Sequence, residues 1–99
     1  MFPVGFPEQN RVLKWVTFDA NGIILDGEGV LSVVRTSTGD FDVTWKHPFS
    51  SVGYCVMSTS DITTTYVLVK TARMVGVKVR NGAGADTDPT YASVLAIGS

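Results

Sequence analysis

Hydrophobic and polar residues alternate along this chain with a period of two, and the alternation is clearest in residues 41–46 (FDVTWK). Such a period places the aromatic and branched side chains of a strand on one face and the polar side chains on the other. A second β-type run, residues 31–36, precedes it across Ser-Thr-Gly-Asp at 37–40. Gly39 can adopt the positive φ of a tight turn, and Asp40 can bond nearby backbone amides. The pattern predicts a β-hairpin.

The same pattern predicts short strands along the rest of the chain, separated by turn residues such as Asn21-Gly22 and by the loop at 81–89. No segment has a sustained helical period. The sequence therefore predicts an all-β fold, a small antiparallel β-sandwich of jelly-roll-like or Ig-like type, with residues 12–99 as one domain. In the first strand we expect Leu13 and Trp15 to be buried, with Val16 as a further candidate. The predicted strands are 12–18, 23–25, 30–35, 41–46, 53–58, 66–70, 74–80 and 91–97.

Residues 1–11 are predicted to form an extended N-terminal arm. Pro3 and Pro7 disfavour both a helix and a ladder-forming strand, while Phe2, Val4 and Phe6 between them are apolar. One interpretation is a disordered start. The interpretation we prefer is an arm that docks on its own domain or on a neighbouring subunit.

Three predicted strands, at 54–57, 66–69 and 94–97, are apolar on both faces, whereas 75–80 has one polar face. A strand in a two-layer sandwich has only one face toward the core. The second apolar faces therefore need cover from another chain or from the arm. This favours a homo-oligomer, most simply a homotrimer.

The composition also indicates more apolar residues than the interior of one small domain can bury. The 99 residues are 44% hydrophobic and 17% charged, and so short a chain has too little interior to bury that much apolar material. The formal net charge of −1 gives no reason to expect a nucleic-acid partner. No apolar run is long enough for membrane insertion, and no signal-peptide pattern opens the sequence, so we expect maturation in the cytoplasm.

Candidate catalytic groups are few. Cys55 and His47 are the only residues of their types, and Cys55 is expected to be buried and inert within an apolar strand. One cysteine and one histidine are too few for a zinc site. The carboxylate pairs Asp26 with Glu28 and Asp40 with Asp42 lie in or beside turns, where acidic residues are common. We therefore expect no enzyme activity and no cofactor.

The loop at 81–89 (NGAGADTDP) is the longest break between strands. Asn81, Asp86 and Asp88 carry oxygen ligands of the kind that bind calcium, but the loop lacks the acidic density of a known calcium motif. Exposed loops often carry recognition residues. Asn81, Asp86, Thr87 and Asp88 are accordingly candidates for an exposed recognition loop, together with the loop at 61–64.

Three segments resemble a small β domain that recurs in virion proteins of tailed bacteriophages, often at the distal end of tail fibres. They are residues 15–22 (WVTFDANG), 33–44 (VVRTSTGDFDVT) and 48–56 (PFSSVGYCV). The chain departs from that domain at 23–29, and it has its own arm in place of a long fibre shaft. The family brings no catalytic residues. The resemblance implies a virion structural component, assembled in the host cytoplasm and trimeric.

Within that class, a tail fibre or spike component involved in host attachment is the preferred role, with a host-surface glycan or protein as its external partner. The alternative is a capsid decoration protein that cements the head through an apolar underside and the arm. A further alternative is a carbohydrate-binding, lectin-like module. Its sugar platforms would be Trp45, Tyr54 or Tyr91, although all three lie in strand patterns typical of a core.

Overall fold

A computed structural model describes residues 11–62 and 64–99. The predictions for Phe2, Val4 and Phe6 lie outside these residues. The described chain is all β and contains eight strands, which are Val12–Asp19 (β1), Ile24–Glu28 (β2), Val30–Ser37 (β3), Asp40–Trp45 (β4), Cys55–Ser60 (β5), Thr64–Lys70 (β6), Met74–Arg80 (β7) and Tyr91–Gly98 (β8).

The strands form two four-stranded antiparallel sheets that pack face to face. Sheet 1 has the order β2-β1-β8-β5, and sheet 2 has the order β3-β4-β7-β6. The chain passes between the sheets after β2, β4, β5 and β7, so that β8 returns to lie between β1 and β5. The predicted small antiparallel β-sandwich is confirmed.

The predicted hairpin is the β3–β4 pair of sheet 2, in which Arg35 lies opposite Phe41. Gly39 at its turn has φ +75°, and a Cβ at this position would lie 2.5 Å from the carbonyl oxygen of Val79. A side chain is therefore excluded both by the backbone conformation and by the neighbouring strand. Gly39 and the close packing of β7 behind it together fix this turn.

The core fills the space between the sheets with side chains from alternate positions of β1, β4, β7 and β8. All of these residues are less than 5% exposed, as the period of two requires. The buried hydrophobic residues are Val16, Phe18, Phe41, Val43, Trp45, Phe49, Tyr54, Val75, Val77, Val79, Ala92, Val94 and Ala96.

One end of the core is built on three aromatic rings. Phe49 stacks on Tyr54 with 4.0 Å between ring centroids and meets the ring of Trp45 edge-on at 6.2 Å. The indole N–H of Trp45 donates to the Tyr54 hydroxyl at 3.3 Å, and that hydroxyl donates to the carbonyl of Thr71 at 2.5 Å. The buried polar atoms of both rings thus have partners, so their burial carries no unpaired-group cost.

The first strand faces the opposite way from the sequence prediction. Leu13 is 49% exposed and Trp15 is only partly buried, whereas Val16 and Phe18 are fully enclosed. The inward set also includes Lys14, which is 5% exposed. The prediction that Leu13 and Trp15 are buried is therefore wrong, and only the further candidate, Val16, is confirmed.

Lys14 can lie inward because its ammonium group has partners at the end of the core. It lies 4.5 Å from the centroid of the Phe49 ring and donates to the carbonyl of His47. Burial lowers the pKa of the Lys14 ammonium. The Asp19 carboxylate accepts hydrogen bonds from the backbone N–H groups of Asn21 and Ile23, each at 2.9 Å. The opposite orientation of β1 would turn this carboxylate inward and away from both groups.

Two other burial predictions are wrong because the residues lie on outward positions of their strands. Cys55 and Tyr91 are both exposed, because Val56 and Ala92 occupy the inward positions next to them. Tyr91 is therefore not a core residue. Cys55 is not enclosed by an apolar strand environment.

Each side of the sandwich is closed where one sheet meets the other. On one side, β2 passes into β3 through a single residue, Gly29, which has φ +76°. On the other side, the Thr65 hydroxyl of β6 donates to the carbonyl of Ser58 in β5 at 2.9 Å. The edge strands β5 and β6 are thus joined by side-chain hydrogen bonds across the gap between the sheets.

The two tryptophans give a direct test of this core. Trp45→Ala removes a fully buried ring and should lower the free energy of unfolding by about 3–5 kcal/mol. Trp15→Ala removes the same atoms from the outer face of sheet 1 and should cost clearly less. Urea denaturation of both variants measures the difference, and equal losses would contradict the assignment of faces.

Candidate functional site

The outer face of sheet 1 carries two cross-strand rows of apolar side chains. In the first row Ile97 lies between Leu13 and Cys55, and in the second Leu95 lies between Trp15 and Met57. Met57 is 61% exposed, and the other residues of the two rows are half-buried or exposed. We define these rows as the apolar patch, whose members are Leu13, Trp15, Cys55, Met57, Leu95 and Ile97.

The next row along the same face is polar. Ser93 of β8 lies between Thr17 and Thr59, and Asp26 of β2 extends the row beyond Thr17. The hydroxyl oxygens of Thr17 and Ser93 are 2.8 Å apart and share a hydrogen bond. We call Asp26, Thr17, Ser93 and Thr59 the hydroxyl row.

A groove follows the boundary between the apolar patch and the hydroxyl row. Its larger part has a volume of about 420 Å³ and is lined by Trp15, Thr17, Met57, Ser58, Thr59, Ser93, Val94 and Leu95. A smaller depression of about 240 Å³ continues it and is lined by Thr59, Ser60, Asp61, Tyr91, Ala92 and Ser93. Thr59 and Ser93 line both parts, so the groove runs from Trp15 at one end to Tyr91 at the other.

The outward charges on the strands of this face have one sign, and Arg11, which precedes β1, lines a separate depression with Ile97 at the other end of the face. Asp19, Asp26 and Glu28 lie on the outward positions of β1 and β2, and Asp61 lies at the rim of the smaller depression. The four strands of sheet 1 contain one basic residue, Lys14, and it points into the core. The charged strand residues that border the groove are therefore all carboxylates.

Asp61 also fixes the position of Tyr91. Its carboxylate accepts the backbone N–H of Thr90 at 2.9 Å. A hydrogen bond from the Thr90 side chain is the largest cause that lowers the pKa of the Asp61 carboxyl, and the backbone N–H groups of Tyr91 and Thr90 lower it further. The charged form is favoured because it is the better acceptor. The segment that carries the Tyr91 ring is thereby held at the end of β5.

Sheet 2 has a different outer face. Lys78 forms ion pairs with Asp40 at 3.2 Å and with Asp86 at 3.3 Å, and Arg80 pairs with Asp86 at 3.1 Å. Arg80 also lies over the ring of Tyr66 at 5.4 Å. These exposed pairs contribute little to stability, and they share the outer surface of sheet 2 with the exposed apolar side chains of Val34, Leu68 and Val69.

The loop predicted for recognition is fastened to sheet 2. The side chain of Asn81 accepts the backbone N–H groups of Ala83 and Ala85 at 2.9 and 3.1 Å, and Thr87 donates its backbone N–H to the carbonyl of Val79 at 3.1 Å. The Lys78 hydrogen bond, followed by that of Arg80, lowers the pKa of the Asp86 carboxyl. The structure thus places Asn81, Asp86 and Thr87 in contacts within the protein.

Asp88 ties the same loop to the β3–β4 hairpin. Its carboxylate accepts the Gly39 N–H at 2.8 Å and pairs with the Arg35 guanidinium at 2.8 Å. The Arg35 hydrogen bond holds the pKa of the Asp88 carboxyl below its usual value. The sequence prediction assigned the turn amides to Asp40, whereas the structure gives the Gly39 amide to Asp88.

Candidate sites for chemistry are sparse. Within residues 11–62 and 64–99, no group of three or more His, Cys, Asp or Glu side chains is placed to hold a metal ion. The calcium candidates Asp86 and Asp88 each face a cation of the protein instead. Trp45 and Tyr54, two of the three predicted sugar platforms, are buried. Tyr91 alone of these lies on the surface, at 53% exposure.

The groove is not predicted from the sequence, because the inward and outward positions of β1 are the reverse of those that its pattern predicts. Trp15 and Thr17 become outward neighbours only when Val16 and Phe18 face the core. The sequence does contain a signal for the correct orientation. Asp19 lies on the same face of β1 as Trp15, whereas Val16 and Phe18 share the other face. A carboxylate at the end of the Trp15 face indicates that this face is the outward one.

Comparisons with family models, curated proteins and solved structures find no match to this chain. Among the residues that the structure describes, no helix has the length and apolar character needed to cross a membrane.

The Asp88 contacts predict an acid-sensitive loop. Because its pKa is lowered in the folded state, the Asp88 carboxylate stabilises the fold above the unfolded pKa of about 3.9 and loses that contribution as the pH falls through the lower folded value. Asp88→Asn should lower the melting temperature at pH 7 and flatten its fall below about pH 4. Melting curves between pH 2 and pH 7 measure both effects.

Arg35→Met is the matched variant, because it removes the same ion pair from the other side. The double variant should lose less stability than the sum of the two single losses, as expected for residues in direct contact. Strictly additive losses would show that the Arg35–Asp88 pair does not stabilise the loop.

Proposed function

We propose that this chain is a non-enzymatic structural protein of a bacteriophage virion, that it acts as a homo-oligomer, and that it belongs to a tail fibre or spike involved in host attachment. The observation that carries the proposal is the difference between the two outer faces of the sandwich. Sheet 1 exposes the uncharged apolar patch, whereas sheet 2 combines exposed apolar side chains such as Val34, Leu68 and Val69 with paired charges.

The apolar patch has the properties of a subunit interface. Its six side chains are contiguous across β1, β8 and β5, and none of them is charged. Contiguous exposed apolar patches of this kind are typical of protein-binding sites, and charged residues are depleted from interface centres. A second copy of the chain is the simplest partner, since most soluble oligomers are symmetric assemblies of one chain.

The virion assignment is supported by the sequence resemblance. Its second segment corresponds to the β3–β4 hairpin, and its first segment begins in β1 at Trp15, within the apolar patch. The resemblance implies a trimer. The proposed location is thus the virion, with other virion proteins as partners and no nucleic acid among them.

A capsid decoration protein is the second candidate, and one observation favours it. Residue 11 leads directly into β1, whose second residue, Leu13, is the first member of the apolar patch. An arm and an apolar underside would then meet at one place, as expected for a protein that cements a shell. The location of the protein in an imaged virion decides between the two roles.

The subunit interface is tested by placing a charge in the apolar patch. Leu13→Lys should convert the oligomer to a monomer, because burial of an unpaired ammonium in an apolar interface is strongly unfavourable. Leu68→Lys is the control, since Leu68 lies on β6 of sheet 2 and is similarly exposed at 55%. Light scattering after size-exclusion chromatography measures the mass of each variant.

The wild type and Leu68→Lys should share one oligomeric mass, most simply that of a trimer, with unchanged circular dichroism in all three proteins. A wild type that is a monodisperse monomer at micromolar concentration would overturn the proposed interface. The exposed apolar side chains would then have no subunit to cover them.

The proposed arm, with Phe2, Val4 and Phe6, is tested by truncation. Deletion of residues 1–7 should leave melting nearly unchanged, because every strand of the described chain begins after these residues. Incorporation into virions should fail if the arm attaches the domain to the particle. Occupancy of truncated protein in purified particles at the wild-type level would contradict that role.

A further inference from the structure

We infer that the groove on the outer face of sheet 1 binds an uncharged oligosaccharide, with Trp15 and Tyr91 as ring platforms and the hydroxyl row as its hydrogen-bonding floor. This inference rests on the proposed role in host attachment and names the ligand class of that role. The occupant follows from three properties of the groove: the spacing of its rings, its hydroxyl chemistry and its charge.

The spacing of the two rings fits a short, extended ligand. Trp15 lies opposite Leu95, and Tyr91 is four positions from Leu95 along the same face of β8. Four residues of a strand span about 13 Å. Both parts of the groove, about 420 and 240 Å³ in volume, follow this line and are continuous through Ser93. Among the described residues, the aromatic ring pairs do not include Trp15 or Tyr91.

The chemistry of the groove matches both sides of a sugar ring. An aromatic face carries negative charge density and therefore attracts the weakly positive C–H groups of a sugar. The floor between the rings offers the hydroxyls of Thr17, Ser93 and Thr59, and each hydroxyl can both donate and accept a hydrogen bond. The hydroxyl groups of a sugar can likewise both donate and accept, so the hydroxyls of the protein and those of the sugar can pair with one another.

The hydroxyl row also distinguishes this ligand from a further protein subunit. An apolar subunit surface laid over Thr17, Ser93 and Thr59 would remove water from three hydroxyls and replace few of their hydrogen bonds, which costs free energy. The apolar patch has no such row at Leu13, Ile97 and Cys55. The proposed subunit contact therefore centres on the row of Leu13, Ile97 and Cys55, and the sugar lies toward Tyr91. The row of Trp15, Leu95 and Met57 lines the groove and borders both surfaces.

The charge of the groove limits the type of glycan. Asp19, Asp26 and Glu28 lie on its face, Asp61 lies at its rim, and the strands of sheet 1 offer no outward base. A sialylated, sulfated or phosphorylated glycan would be repelled by these carboxylates. An uncharged sugar can use them as acceptors for its hydroxyl groups. The groove therefore selects against anionic glycans.

The experiment is a binding screen of the full-length chain against an immobilised panel of oligosaccharides. The uncharged members are oligomers of glucose, galactose, mannose, rhamnose and N-acetylglucosamine, and the anionic members are sialylated and sulfated glycans. We expect binding to at least one uncharged member and none to the anionic members. Binding to no uncharged member at millimolar concentration, or a preference for anionic glycans, would overturn the inference.

Variants connect the binding to the groove. Tyr91→Ala and Thr17→Val should each weaken the affinity for the bound sugar at least tenfold while the melting temperature stays close to that of the wild type. The control is Tyr66→Ala, which removes a tyrosine ring from the outer face of sheet 2 and should leave the affinity unchanged. Equal affinity of Tyr91→Ala and the wild type would overturn the assignment of the ligand to this groove.

Failure of this inference can be distinguished from failure of the proposed function. A chain that binds sugar through the groove but is a monomer contradicts the proposed oligomer and leaves the sugar site standing. A chain that is oligomeric and present in virions but binds no uncharged glycan contradicts the sugar site alone.

Discussion

The two sheets enclose one layer of side chains, so each strand can give only one of its faces to the core. Strands β1, β4, β7 and β8 meet this constraint by strict alternation, and their inward residues fill the space between the sheets. The chain contains more apolar residues than this single layer accepts. More of the exposed large hydrophobic residues lie on the strands of sheet 1 than on those of sheet 2, and the candidate site lies on sheet 1.

The orientation of β1 shows how that constraint selects between two faces of similar hydrophobicity. One face offers Leu13 and Trp15 but ends at a carboxylate, whereas the other offers Val16 and Phe18 together with Lys14. A lysine can bury its hydrocarbon stem and direct its ammonium to a carbonyl and an aromatic face. A short aspartate has no such reach. The structure therefore buries the lysine face and leaves the tryptophan outside.

Sequence periodicity was sufficient for the sandwich, for the strand positions and for the hairpin at Gly39. These features depend on local pattern and on turn chemistry. Periodicity was insufficient for the parity of β1 and for the exposure of Cys55 and Tyr91, because these depend on which strands pair. The link from Asp88 to Gly39 spans 49 positions of sequence, and no local pattern indicates it. The groove depends on two of these features, the parity of β1 and the exposure of Tyr91.

The hydrogen bond from Thr65 to Ser58 at the meeting of β5 and β6 has a consequence for colloidal behaviour. An exposed edge strand presents unpaired amides and carbonyls that can template strand addition by another molecule. Here the Ser58 carbonyl is already occupied from the opposite sheet, and the turn at Gly29 joins the other pair of edges. Growth by edge-to-edge addition is thereby discouraged at both pairs of edge strands.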